Sequence, residues 1–136
     1  MNIIPNLHFQ GDCEKAIELY EKAFKATRTV FLRYKDADPQ DFGEDINDEK
    51  QNYVYHAEMM IGDQRMMMND HIEDLVKGVN ISLLVSFDSK EDVIEAYEIL
   101  KDGARIIQLV QETTYSSCFV SLIDRYGVRW ELMNES

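Results

Sequence analysis

The chain has 136 residues, enough for one domain that buries roughly two-thirds of its unfolded surface. Hydrophobic residues make up 45% of it, and seven Tyr, six Phe and one Trp supply ample core material. Its net charge of −12 argues against nucleic acid or an anionic membrane as partner, since both need a basic footprint. No apolar run approaches ~18 residues and no charged-then-apolar leader opens the chain, so the expectation is a soluble cytoplasmic protein. Cys13 and Cys118 lie far apart without zinc-type spacing, which predicts reduced thiols.

From Ile3 to Phe9 the residues alternate as in a strand, with Pro5 placing the first half at a sheet edge. Gly11-Asp12 ends it, and Asp12 is the expected cap of a helix. That helix carries Cys13, Ala16, Ile17, Tyr20 and Phe24 on one face and Glu14, Lys15, Glu18, Glu21 and Lys22 on the other. Thr27 to Tyr34 reads as a strand. Residues 36–49 hold seven acidic side chains and form the longest loop. Asp36, Asp38, Asp41 and Asp45 do not fit a calcium-loop template, so a solvated, mobile lid is expected. Tyr53 to Ile61 and Gln64 to Asn69 form a hairpin about Gly62-Asp63.

The connector from His71 to Lys77 has room for one or two helical turns, and then the order repeats. Asn80 to Phe87 is a strand, Ser89 caps a helix with Val93, Ala96, Tyr97 and Leu100, and Asp102-Gly103 ends it. Strands follow at Ala104 to Val110, Ser117 to Ile123 and Val128 to Met133. Residues align between the halves: Phe9 with Phe87, Glu18-Leu19-Tyr20 with Glu95-Ala96-Tyr97, Gly62 with Gly127, and Asn69-Asp70 with Asn134-Glu135. The expected fold class is α+β: two tandem βαβββ modules, 1–70 and 79–136 joined by 71–78, forming a curved mixed sheet around a cavity within one duplicated domain.

Several residues could carry chemistry there. In the last strand Val128, Trp130 and Leu132 share one face, and Arg129, Glu131 and Met133 the other. Glu131 is either a surface charge or part of a lined cavity. His56 and Glu58 share a face, and alignment pairs His56 with Ser121. Three readings stay open for that pair: acid/base catalysis, a polar pocket wall, or an interface. His8 alternates with Leu7 and Phe9 and so belongs on the hollow side. Met66-Met67-Met68, with Met59, Met60 and Met133, suits either core or an adaptable apolar binding surface.

The ordered set of motifs resembles the glyoxalase/bleomycin-resistance, or vicinal oxygen chelate, superfamily, and within it the PhnB-like branch. It comprises Leu7-x-Phe9-x-Gly11, Leu19-Tyr20, His56-Ala57-Glu58-Met59, Ile61-Gly62, Met68-Asn69-Asp70, Gln111-Glu112-Thr113 and Asp124-Arg125-Tyr126-Gly127-Val128-Arg129-Trp130. Members of the branch often carry a demethylubiquinone methyltransferase name. Where the family has Trp-Gly, this chain has Tyr115-Ser116. The resemblance implies the glyoxalase/bleomycin-resistance/dioxygenase fold, a homodimer, and metal ligands on the first and last strands of each repeat. Those positions fall on Glu131 and Ser82 in the second half, and on Met66 and Ile4 or Pro5 in the first. A thioether and one carboxylate make a poor divalent site, so no metal cofactor is expected; the alternative is a weakly held divalent ion on Glu131. The implied function is binding of a small apolar molecule, with His8, Met66, Met68 and Ser82 around it, and Tyr115, Arg129 and Met133 completing the wall. The alternative is a metal-dependent lyase, isomerase or dioxygenase using Glu131 with His56, Glu58 or His8.

Overall fold

In the computed structural model, residues 1–42 and 46–135 are described, so Asp45 of the acidic loop lies outside the described residues. The chain divides into two compact units, Met1–Val76 and Lys77–Ser136. The first contains β1 (Asn6–Phe9), α1 (Cys13–Phe24), β2 (Thr27–Arg33), β3 (Val54–Ile61) and β4 (Gln64–Asp70). The second contains β5 (Leu83–Ser86), α2 (Lys90–Leu100), β6 (Arg105–Thr113), β7 (Ser116–Ile123) and β8 (Arg129–Asn134). Each is a βαβββ module with a four-stranded mixed sheet, ordered β1-β4-β3-β2 and β5-β8-β7-β6. The first strand of each runs parallel to the last, and the other pairs are antiparallel.

The helices are amphipathic at the expected spacing. Cys13, Ala16, Ile17 and Tyr20 are fully buried on α1, as are Val93 and Leu100 on α2, whereas Tyr97 is only half-buried. Each large apolar side chain fully withdrawn from water contributes roughly 1.5–3 kcal/mol. Ser89 caps α2 by accepting from Asp92 N at 3.1 Å. Asp12 occupies the same position before α1 but its side chain makes no capping bond. That role passes to the sheet: Asp70, at the end of β4, accepts from Gly11 N (2.7 Å) and Cys13 N (3.0 Å) through Oδ1 and from Val54 N (2.8 Å) through Oδ2. One 1% exposed carboxylate thus ties the helix start to two strands. Gly11 permits the turn, at φ +97° and with Tyr53 Oη 3.0 Å from where a Cβ would stand.

Asp70 also fixes the faces of the first sheet. Its side chain reaches the helix start, so alternation puts Met68 and Met66 on the helix side, where they pair with Ala57 and Met59. Met66 (3% exposed) and Met68 (0%) are therefore buried on the helix side of the sheet. Met67, paired with Glu58, and Met60, paired with Arg65, are on the open face.

Four boundaries differ from expectation for physical reasons. β1 starts at Asn6, because Pro5 has no N–H to give; its carbonyl still accepts from Met67 N at 2.8 Å. β5 starts at Leu83, and the residues before it are held by side chains, Arg129 donating to Val79 O at 2.7 Å and Ser82 donating to Glu131. The connector contains no helix; it is pinned by Gln10, which donates to Asp74 and accepts from Leu75 N, and by Lys50 donating to Ile72 O at 2.6 Å. The acidic loop carries a short 3-10 turn at Pro39–Asp41 and is flanked by others at Tyr34–Asp36 and Lys50–Asn52. Tyr34, Phe42 and Tyr55 pack edge-to-face with centroids 5.3 to 5.9 Å apart, and Tyr55 Oη donates to Asp41.

Candidate functional site

The register of the two sheets shows which residues of the modules are equivalent. Phe9 pairs with Asp70, and Ser86 with Met133, so Phe87 stands beside Asn134, whose side chain donates to Phe87 O at 2.8 Å. Asp70 and Asn134 are therefore counterparts, which makes Met67 the counterpart of Glu131, Glu58 that of Ser121, and Ile4 that of Ser82. The sequence alignment of Gly62 with Gly127 displaced the last strands by one residue, matching Met66 to Glu131, and the strands before them by two, matching His56 to Ser121. The cause is turn length: two residues separate paired Ile61 and Gln64, but five separate Ile123 and Arg129. The extra residues form a turn in which Asp124 Oδ1 accepts from Tyr126 N and Val128 N, Oδ2 accepts from buried Trp130 Nε1 at 2.9 Å, and Gly127 adopts φ +91°.

In the second module Trp130 and Leu132 face the helix side, fully buried with Val120 and Leu122. The opposite face gathers Ser82, Glu131 and Ser121. Glu131 pairs with Ser121 across the β7–β8 ladder and with Leu84 across β5–β8, and it accepts a hydrogen bond from Ser82 Oγ. Ser121 is 2% exposed, and its hydroxyl is buried with no hydrogen-bond partner among the described residues. Phe119 and Met133 pair one step along the same face and are also buried. Arg129 shares the face but spends its Nη1 on Val79 O, and its buried Nε has no partner. Tyr115 sits in the β6–β7 turn, 59% exposed, with its ring 6.0 Å from that of Phe119.

On the open face of the first module the acid is arranged differently. Glu58 Oε2 bonds His56 Nε2 at 2.7 Å, and Glu58 Oε1 accepts from Arg65 Nε at 2.6 Å. The Arg65 bond, then the His56 bond, holds the Glu58 carboxyl down from its ordinary 4.5 to about 2. His8, exposed on β1, bonds Asn69 Oδ1 through Nδ1 at 2.5 Å and lies beside His71. Among the described residues no three His, Cys, Asp or Glu side chains converge as a metal cluster. Both thiols are buried and free, and burial pushes each upward. Sequence reasoning missed Ser121 as a site residue in its own right, and Arg65 altogether. The lone hydroxyl within the apolar run Phe119-Val120-Ser121-Leu122 was the available signal for the first.

A family model described as 3-demethylubiquinone-9 3-methyltransferase matches residues 1–133. The chain belongs to that family. This 3-demethylubiquinone-9 3-methyltransferase family member is similar in structure to protein PA1353 of Pseudomonas aeruginosa, with TM-score 0.87 and 23% identity over 99% of this chain and 98% of that one. It is also similar to the PhnB protein of Bacillus cereus, with TM-score 0.80 and 24% identity over 98% and 99%. The fosfomycin resistance protein FosX of Listeria monocytogenes, solved with Mn(II) and dihydroxypropylphosphonic acid, matches with TM-score 0.67 and 13% identity over 98% and 90%. No curated protein matches the sequence. The family member is thus a PhnB-like protein of the glyoxalase/bleomycin-resistance fold. No described helix is long and apolar enough to cross a membrane.

Proposed function

We propose that this PhnB-like protein binds a small, largely apolar molecule bearing a hydrogen-bond donor, on the face of the second sheet opposite α2, without the superfamily's metal. The observation that carries this is the Ser121 hydroxyl, buried and without a partner beside Glu131. A buried polar atom left unpaired costs about 1–3 kcal/mol, and a ligand that pairs it recovers that cost on binding. Glu131 and Ser82 supply further acceptors and donors, while Phe119 and Met133 supply apolar surface.

Metal chemistry is disfavoured by the donor set. The superfamily's ligand positions carry Ser82 and Glu131 in one module and Ile4 and Met67 in the other. A hydroxyl already donating to the carboxylate, a hydrocarbon and a thioether do not suit a hard divalent ion. The enzymatic alternative has one observation in its favour, the His56–Glu58 bond. Arg65 on the same carboxylate weakens it, because the shared acid supports His56 less as a base. Pairing into a homodimer and a cytoplasmic location belong to the same proposal; sedimentation tests the first.

A thermal-shift screen with alkyl and aryl amines, alcohols and carboxylates tests the binding. Amines and alcohols should raise the unfolding midpoint, since binding only the native state adds roughly 2.7 kcal/mol at a hundredfold excess over Kd. Carboxylates should not, because Glu131 repels them. Loss of the shift in Glu131→Gln and Ser121→Ala supports the assignment; an unchanged shift in both overturns it. Stoichiometric metal after chelator-free purification, lost in Glu131→Ala, overturns the metal-free reading.

A further inference from the structure

The end of β1 and the residue after β4 bring together two imidazoles that the proposed binding face does not use. His8 projects from β1 on the open face of the first sheet, beside Asn69, its ladder partner. Asn69 Oδ1 can only accept, so His8 Nδ1 donates to it, and in the neutral imidazole the lone pair is then on Nε2. His71 follows β4 directly, with its backbone N–H donating to Phe9 O at 2.6 Å. The two ring centroids lie 4.7 Å apart and the planes cross at 62°, so the rings are not stacked. Asn69 stands where metal-binding histidines usually find the outer partner that orients them.

The spacing suits chelation. A metal bound to an imidazole nitrogen at ~2.0–2.1 Å lies ~3.2 Å from that ring's centre. Two such rings ~90° apart about a tetragonal metal have centres ~4.5 Å apart, and about a tetrahedral one ~5.2 Å. The observed separation falls between these limits. His8 is exposed and His71 half-buried, so the pair is open to solvent, and the net charge of −12 favours cations around the chain.

We infer that His8 and His71, oriented by Asn69, form a two-imidazole site for a borderline divalent transition metal, with affinity greatest for Cu(II). The site differs from the superfamily's ligand positions: on this strand that position is Ile4, four residues before His8. It is also independent of Glu131, Ser82 and Ser121, so it stands or falls separately from the proposed ligand face.

The test is calorimetric titration of the chelator-stripped full chain with Cu(II) in a non-coordinating buffer, together with electron paramagnetic resonance of the loaded protein. The expected result is one saturable site with two nitrogen couplings. His71→Ala should weaken it at least tenfold and leave one coupling, and His8→Gln should do the same. Asn69→Ala should weaken it less, with both couplings retained, as a positioning role requires. His56→Ala should leave it unchanged. Circular dichroism confirms that each variant is folded. Absence of a saturable site in the wild type, or equal affinity in wild type, His71→Ala and His8→Gln, overturns the inference.

Discussion

The two modules share topology but differ in where each places its acid and what surrounds it. On the open face of the first, the cross-strand pair is Glu58 with Met67; on the second, the equivalent pair is Ser121 with Glu131. Glu58 is held by an imidazole and a guanidinium. Glu131 has no basic partner among the described residues, and the hydroxyl across from it is buried without one. The same scaffold therefore carries one carboxylate whose bonds are internal and one whose neighbourhood is incomplete. Proteins tolerate an unpaired buried group where function requires it, so the incomplete face is the one to examine for a ligand.

The comparison extends to the corners that close the sheets, where the largest effect is expected. Asp70→Ala leaves the N–H groups of Gly11, Cys13 and Val54 without their acceptor, and should cost upwards of ~3 kcal/mol by denaturant unfolding. Asn134→Ala removes the bond to Phe87 O and that from Ser117 Oγ, and should cost only about 1–2 kcal/mol. Equal losses would erase the distinction between the corners. Ser121→Ala should behave oppositely, leaving stability unchanged or higher by up to ~1 kcal/mol, because it deletes an unsatisfied group. A loss of stability there would reveal a partner for the hydroxyl and remove the main support for the binding face.

The smallest effect concerns Glu58. Its depressed value means that its contribution to stability is present above the ordinary 4.5 and is lost as pH falls toward about 2. Arg65→Ala should move the Glu58 midpoint, followed by carboxyl NMR, back toward the ordinary value while stability at neutral pH changes little. A midpoint that stays near 2 would assign the depression to His56 instead.

Much of this architecture is legible in the sequence because each module obeys local periodicity. Cys13, Ala16, Ile17 and Tyr20 mark one helical face, and Val128, Trp130 and Leu132 alternate as a strand must. The exact equivalences are not legible, because Gly62 and Gly127 sit in turns of different length and matching them shifts every residue beyond by one. The phase of Met66-Met67-Met68 is hidden for a related reason. Alternation separates Met67 from its neighbours, but only the long-range bonds of Asp70 to the helix start show which set is core. Asp12 had every local mark of a helix cap, and a tertiary acceptor displaced it.

The most direct test is NMR chemical-shift mapping of the best-binding amine or alcohol onto the assigned chain. The account predicts the largest perturbations at Ser82, Ser121 and Glu131, with His56, Glu58 and Arg65 little changed. Perturbations centred on His56 and Glu58, or no specific binding by any amine or alcohol tried, would contradict it.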